Sequence, residues 1–258
     1  MYLIIGGDSI IGRALSAFWK EKNIPYCAST RRREQVDETR PYIDLATLSW
    51  PELEIGQYDA VVFCAAFTKL AECEEHPETT RVINVDATVA LAKLMALRGC
   101  YLLFLSTNQV FDGTKPHRKV SDHVCPINEY GRQKVDAEQL IRQEPRSAVL
   151  RLSKVIYPDL PLLRQWESHL QAGQSIEAFT DMYLAPISLE KVVKRIDHLV
   201  QNKETGIFHL SGEKDVSYYS FAKSNFSNIP NADKLIGKSR VSEANFLGLQ
   251  SPRNTSHQ

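Results

Sequence analysis

The sequence has no excess of charge, no paired cysteines and no long apolar run. Lysine plus arginine and aspartate plus glutamate both number 31 in 258 residues, a formal net charge of zero. That balance lacks the basic footprint of a nucleic-acid-binding surface and the polybasic patch that draws a chain to anionic lipid. The five cysteines, Cys27, Cys64, Cys73, Cys100 and Cys125, are odd in number and include no C-x-x-C pair. Several stand in apolar, strand-like stretches where cysteine serves as a small buried hydrophobe, so a reduced cytoplasmic protein is expected. Met1 runs directly into Tyr2-Leu-Ile-Ile5 and two glycines, so no signal peptide is expected, and no run has the length of a bilayer span. His76, His117 and His123 lack ligand spacing, which argues against a metal site. No internal repeat or low-complexity segment is visible.

What is present is ordinary globular composition, 43% hydrophobic and 24% charged, in a chain long enough for a nucleotide-binding core with a small appended lobe. Over the first 150 or so residues, short apolar runs alternate with longer amphipathic ones, the pattern of βαβ units. Strands are expected at Tyr2–Ile5, Pro25–Ser29, Tyr42–Asp44, Ala60–Ala65, Tyr101–Leu105 and Ala148–Leu152. Helices are expected near Ile11–Lys22, Thr79–Arg98 and Glu129–Arg142. Beyond Val155 the pattern changes: prolines 158 and 161, helices at Leu162–Ala172 and Leu189–Gln201, and a strand at Gly206–Leu210. The reading is an α/β protein with a doubly wound parallel sheet over residues 1–154. Residues 155–258 would form a smaller substrate lobe whose chain partly returns to the first domain.

Gly6-Gly-Asp-Ser-Ile-Ile-Gly12 follows the first strand and opens a helix. In that context, backbone N–H groups and a helix N-terminus face a dinucleotide pyrophosphate. Gly6 suits a tight turn and Gly12 close packing of helix on strand, while Ser9 stands where a middle glycine is usual, followed by Ile10 and Ile11. An ordinary glycine turn is the plain alternative. Strand two ends in Ser29-Thr30-Arg31-Arg32-Arg33. An acidic residue there would select NAD(H), whereas guanidinium groups suit the 2′-phosphate of NADP(H), so NADP(H) is favoured over a merely solvated basic loop. Asp44, next to Leu45, could meet the adenine amino group or cap the following turn. Cys64-Ala65-Ala66 closes the fourth strand, where the cofactor should lie.

The fifth strand delivers Ser106-Thr107-Asn108-Gln109 to the carboxyl edge of the sheet, where ligands bind in open α/β folds. Some twenty residues later, Tyr130-Gly-Arg-Gln-Lys134 opens a helix, with Tyr130 and Lys134 at i and i+4 on one face. An unperturbed phenol has a pKa of about 10. A neighbouring ammonium lowers that value, which would suit Tyr130 to pass a proton to a carbonyl oxygen while Thr107 hydrogen-bonds it. Chance Y-x-x-x-K on a surface helix is the alternative; placement after Ser-Thr argues against it.

At these residues the chain resembles the extended short-chain dehydrogenase/reductases, and within them the dTDP-4-dehydrorhamnose reductase group. Asp59-Ala-Val-Val-Phe-Cys-Ala-Ala-Phe-Thr68, Arg81-Val-Ile-Asn84, Ser106-Thr-Asn-Gln-Val-Phe-Asp-Gly113 with Pro126 and Tyr130-Gly, Gly206-Ile-Phe-His-Leu-Ser-Gly212 and Ser251-Pro-Arg-Asn-Thr-Ser256 are similar to the group's landmarks. The resemblance implies a Rossmann-type fold, NADP(H) binding that includes Asn84, Tyr130 and Lys134, and a catalytic set falling on Thr107, Tyr130 and Lys134. It also implies a nucleotide-sugar substrate near Thr68, Asn108 and Gln109. Ser9, Asn108 and Gln109 depart from the usual pattern, where the last two would be Asp-Tyr, and the second lobe is trimmed. The segments Arg31–Arg33 and Phe111–Thr114 are also similar to a non-catalytic relative, the regulatory β subunit of methionine adenosyltransferase. Three functions therefore stand side by side: a keto-sugar reductase, a cofactor-binding regulatory protein with a protein partner, and an epimerase. A homodimer is compatible with each.

Overall fold

The structure, a computed structural model, describes residues 1–50 and 58–241. The Ser251–Ser256 landmark lies outside the described residues. In chain order the first elements are β1 (Tyr2–Ile5), α1 (Ile10–Glu21), β2 (Tyr26–Ala28), β3 (Ala60–Phe63), α2 (Leu70–Glu75), α3 (Pro77–Arg81), α4 (Thr88–Ala96), β4 (Tyr101–Thr107), α5 (Glu129–Ile141) and β5 (Ser147–Leu152). There follow β6 (Val155–Ile156), α6 (Pro161–Gln171), β7 (Ile176–Phe179), β8 (Tyr183–Leu184), β9 (Ile187–Ser188), α7 (Leu189–Asn202) and β10 (Gly206–Leu210). The described chain ends with β11 (Val216–Ser217), α8 (Tyr218–Asn225), α9 (Ala232–Leu235) and β12 (Ile236–Ser239).

Six strands form one parallel sheet in the order β10-β5-β4-β3-β1-β2. Every residue of β3, β4 and β5 is buried, which explains their unbroken apolar runs: helices cover both faces. On one face Phe104 and Leu102 pack with Ala137 and Ile141 of α5. On the other, Leu103 and Leu105 pack with Leu15 and Trp19 of α1 and Val192 and Ile196 of α7. The order in which strands are added reverses between β1 and β3, the topological switch point at which open α/β sheets bind ligands. The expected α/β, Rossmann-type fold is borne out.

Two local expectations are corrected. Tyr42–Asp44 is no strand; a single parallel bridge, Thr30 to Tyr42, is all that forms. Pro41 offers no amide donor there, and Asp44 already caps a 3₁₀ turn at Leu45–Thr47, so the segment leaves the sheet edge after one pair. The helix expected at Thr79–Arg98 is broken into α3, a π-helical turn at Val82–Ala87, and α4.

After β5 the chain leaves the sheet, and β6 pairs with β9 over two residues. Next, α7 packs against α1, with Trp19 Nε1 donating to Asp197 at 2.9 Å, and β10 adds to the sheet beside β5. A second core gathers Trp166, Leu170, Ile176, Phe221, Phe226 and Ile236. Its pairings, β11 with β8 and β12 with β7, join residues from both sides of β10. No described helix is long and apolar enough to cross a membrane.

Candidate active site

A cavity of about 750 Å³ opens at the switch point, walled by the β1–α1 loop, the end of β2, Asp44-Leu45 and Cys64–Thr68. Gly6 sits at φ +86°, and a Cβ there would lie 2.7 Å from the Ala65 amide; a Cβ on Gly12 would lie 2.3 Å from the Gly6 carbonyl. Both positions therefore require glycine, the first for its turn and the second for the approach of α1 to the loop. Ser9 has a local reason to replace the usual glycine. It is the N-cap of α1, its Oγ accepting the Gly12 N–H at 3.0 Å. Ile10 and Ile11 follow in the first helical turn and line the cavity. Among the described residues neither of their amides has an acceptor, so two donors and the positive end of the helix face the space.

At the far wall stand Thr30, Arg31 and Arg32. Among the described residues no carboxylate pairs with Arg31 or Arg32, whereas Arg33 turns away to stack on Tyr42 at 4.3 Å. Asp44 and Leu45 line the same end. The Asp44 carboxylate meanwhile accepts the Ala46 N–H at 3.0 Å, so it caps the turn as well. Cys64, Ala65, Ala66 and Thr68 complete the wall. Burial pushes the Cys64 thiol up to about 12, against the opposing pull of Lys134, so it is no nucleophile.

Asn84, Gly12, Tyr130 and Lys134 do not line the cavity. Asn84 is 1% exposed and fully engaged: its Oδ1 accepts from the Phe67 amide at 2.8 Å, and its Nδ2 donates to the Phe67 carbonyl at 3.0 Å and to Gln133 at 2.8 Å. It holds the Phe67–Thr68 wall against α5 from behind.

Thr107 ends β4, where its hydroxyl accepts the Gln109 N–H at 3.1 Å. Tyr130 occupies the first turn of α5, and Lys134 lies one turn on, its Nζ 3.8 Å from the centre of the Phe104 ring. The two elements meet closely: a Cβ on Gly131 would fall 2.3 Å from the Gln109 carbonyl. Asn128 seals the junction, capping α5 at the Gly131 amide and donating to the Gln109 side chain. Gln109 is thereby committed to Asn128, and Asn108, 9% exposed, accepts the Thr107 hydroxyl at 3.5 Å.

The electrostatics differ from the sequence expectation. Burial raises the Tyr130 phenol above its ordinary value of 10.0, with Cys73 adding in the same sense. Burial also lowers the Lys134 ammonium from 10.5 to about 7, opposed by Glu138 and Cys64. Desolvation dominates both shifts, and the phenol is kept neutral rather than ionised. Behind Lys134, Glu138 takes a forked pair from Arg151, Nε to Oε1 at 3.0 Å and Nη2 to Oε2 at 2.6 Å, with both side chains about 3% exposed. Arg151 in turn reaches His209 of β10 at 3.4 Å.

Asp8, by sequence a carboxylate out of place near the expected pyrophosphate, lines the cavity between the glycines. Other site residues escaped sequence reading: Val155 and Tyr157 enter the cavity from beyond β5. Gln133 is fully buried and donates to Pro77, Thr80 and Glu129. Asn128, also missed, did carry a local signal, an N-cap residue three positions before Gly131. Among the described residues no group of three or more His, Cys, Asp or Glu is placed to hold a metal ion.

Comparison with known proteins decides the family. The RmlD substrate binding domain family matches residues 1–254. The chain belongs to that family. Among RmlD-family folds, the dTDP-4-dehydrorhamnose reductase of Bacillus anthracis, solved in complex with NADP, superposes with a TM-score of 0.84 at 20% identity, over 100% of this chain and 89% of that one. A Haloferax volcanii protein named "Probable low-salt glycan biosynthesis reductase Agl14" is 33% identical over 173 residues, 64% of this chain and 58% of that protein. The chain therefore spans little more than half the length of that relative. Methionine adenosyltransferase 2 subunit beta of Bos taurus is 24% identical over 267 residues, 98% of this chain and 78% of that one. The resemblance read from Tyr130, Lys134 and the flanking motifs is borne out at the level of family and fold.

Proposed function

We propose that this RmlD-family chain is an NADPH-dependent reductase of a keto group on a nucleotide sugar or a related metabolite. The reading is supported by the junction of β4 with α5, where a Cβ on Gly131 would meet the Gln109 carbonyl: Thr107 ends the strand there, and Tyr130 and Lys134 stand on the first turns of the helix. The cavity fits a dinucleotide. Glycine is obligatory where the pyrophosphate would approach; among the described residues two helix-terminal amides are unengaged and the guanidinium groups of Arg31 and Arg32 have no carboxylate partner, which favours NADP(H) over NAD(H).

The bound nicotinamide supplies the hydride. Tyr130, held neutral by burial, carries the proton that the carbonyl oxygen needs as the carbon is reduced. Thr107 orients that oxygen. Lys134, lowered by burial to about 7, would limit the cost of the Tyr130 phenolate when its amine holds a proton taken from solvent. A reducing, cytoplasmic setting belongs to this reading and is supported by five free thiols.

The test is NADPH oxidation with a panel of keto-sugar nucleotides. Tyr130→Phe should slow it by about 10²–10⁴-fold while cofactor binding persists. Cofactor binding by the wild type with no hydride transfer to any member of the panel would remove the reading. The match to methionine adenosyltransferase subunit beta over 98% of the chain favours a second reading, a cofactor-binding regulatory subunit. A co-purifying enzyme whose activity is indifferent to Tyr130→Phe would support it.

A further inference from the structure

The carboxylate of Asp8 is an anomaly in a loop built for phosphates. It lies between Gly6 and Gly12 and lines the same cavity as Arg31 and Arg32. Its Oδ2 accepts the Thr30 hydroxyl at 2.7 Å, and its Oδ1 accepts Arg40 Nη2 at 2.7 Å. Thr30 Oγ1 in turn accepts the Arg32 N–H at 3.1 Å, and the Arg31 backbone N–H also stabilises the carboxylate, so Asp8 is tied to the basic segment itself. Arg40 also donates to Gln35 at 3.1 Å, and its Nε is buried without an acceptor among the described residues. The pair is only half-buried, with side chains 35% and 29% exposed, so it is reachable from the cavity mouth. Burial alone would raise the Asp8 carboxyl; the Thr30 and Arg40 hydrogen bonds outweigh it and hold the group below its usual range, hence charged.

A charged carboxylate at the ribose end has two opposite effects on ligands. It accepts a hydrogen bond from a 2′-hydroxyl, and it repels a 2′-phosphate. Arg40 cancels it. With the pair intact, Arg31 and Arg32 set the local sign, and it is positive.

From this geometry we infer that Asp8 and Arg40 form a charge-balanced selector that sets how strongly the site prefers a 2′-phosphorylated dinucleotide over its 2′-hydroxyl counterpart. The inference rests on the cofactor reading above, and it assigns specificity to two residues outside the basic run. Asp8 is the latent acceptor for a 2′-hydroxyl. Arg40 masks it, and when Asp8 loses its charge Arg40 becomes a third cation for the phosphate.

The experiment is titration of NADPH and NADH, followed by nicotinamide fluorescence, on the full chain. The proteins are wild type, Arg40→Gln, Arg40→Lys, Asp8→Asn and the Asp8→Asn/Arg40→Gln double variant, each checked by thermal melting. Arg40→Gln should lower the ratio of NADPH to NADH affinity by about tenfold, and Asp8→Asn should raise it by a similar factor. The double variant should return to within about twofold of wild type, Arg40→Lys should keep the wild-type ratio, and salt should compress the Arg40→Gln effect. Ratios unchanged in both single variants, or moved in the same direction, would overturn the selector. If Asp8→Asn does not fold, Arg40→Gln against Arg40→Lys decides alone. A wild type that prefers NADH would instead count against the NADP(H) reading of Arg31 and Arg32. The opposed signs of the two shifts still judge the selector in that case.

Discussion

One side chain, Asn128, fixes both the start of α5 and the turn after β4: its Nδ2 donates to Gln109 Oε1 at 2.9 Å while its Oδ1 accepts the Gly131 N–H at 2.8 Å. Asn128 is 1% exposed, so neither bond has water as a substitute. Asn128→Ala should cost about 1–3 kcal/mol in chemical denaturation, through the lost cap and the orphaned Gln109 amide. It should reduce kcat more than it weakens NADPH binding, because the junction orients Tyr130 and leaves the cavity walls in place. Steady-state kinetics beside cofactor titration would separate the two effects.

The phosphate cradle can be broken by one methyl group. In Gly12→Ala the new Cβ meets the Gly6 carbonyl, a backbone atom that cannot move aside cheaply. The variant should lose about 1–3 kcal/mol of stability and most of its NADPH affinity. A Gly12→Ala protein with wild-type melting and wild-type binding would mean that α1 does not approach the loop as described.

Lys134 makes stability depend on pH with a defined sign. Its pKa is 10.5 unperturbed and about 7 in the folded protein, chiefly through burial, so between these values the unfolded chain binds a proton that the folded chain does not. Stability should therefore rise as pH increases from roughly 7 to 8.5, before the buried thiols, whose pKa values are raised from 9.0, begin to favour the unfolded state. Lys134→Met should flatten that rise. Melting curves of the two proteins across this window provide the comparison.

The Glu138–Arg151 pair lies behind the reaction centre and makes a different prediction. Arg151→Met strands a buried carboxylate against the β5 strand and should destabilise the protein by about 3–5 kcal/mol. Replacing Glu138 by glutamine in the same chain should recover a substantial part of the loss. A double variant no better than Arg151→Met would show that packing of the guanidinium against Phe111, 5.3 Å away, matters more than its charge.

What could be read from sequence follows the range of the interactions. The strands were legible because a sheet covered on both faces demands unbroken apolar runs, as in Tyr101–Leu105. Gly6, Gly12 and the Tyr130–Lys134 spacing were legible because each expresses a constraint within one turn or loop. The misplaced third strand shows the limit: Tyr42-Ile-Asp44 has strand composition, yet Pro41 and the cap at Asp44 decide its fate. The π turn around Asn84 left no mark, since a single wide turn hardly changes the helical spacing of the apolar residues that reveals the helix. Asp8 looked like an intrusion in a phosphate loop, because its partner Arg40 stands 32 residues away. The direction of the Tyr130 shift was missed for a similar reason: the spacing to Lys134 is local, whereas burial is a property of the whole packing.

The path of the chain between its two cores bears on how the protein is made. After β5 the chain leaves the sheet, returns for α7 and β10, and leaves again for β11 through β12. The sheet must wait for its last strand until the first half of the smaller core has emerged, and that core lacks β11, α8 and β12 until after β10. Neither half can be finished by a growing chain before the other is well advanced. Such interleaving favours one cooperative unfolding step over two, and a truncation between β5 and β10 should leave both cores open together.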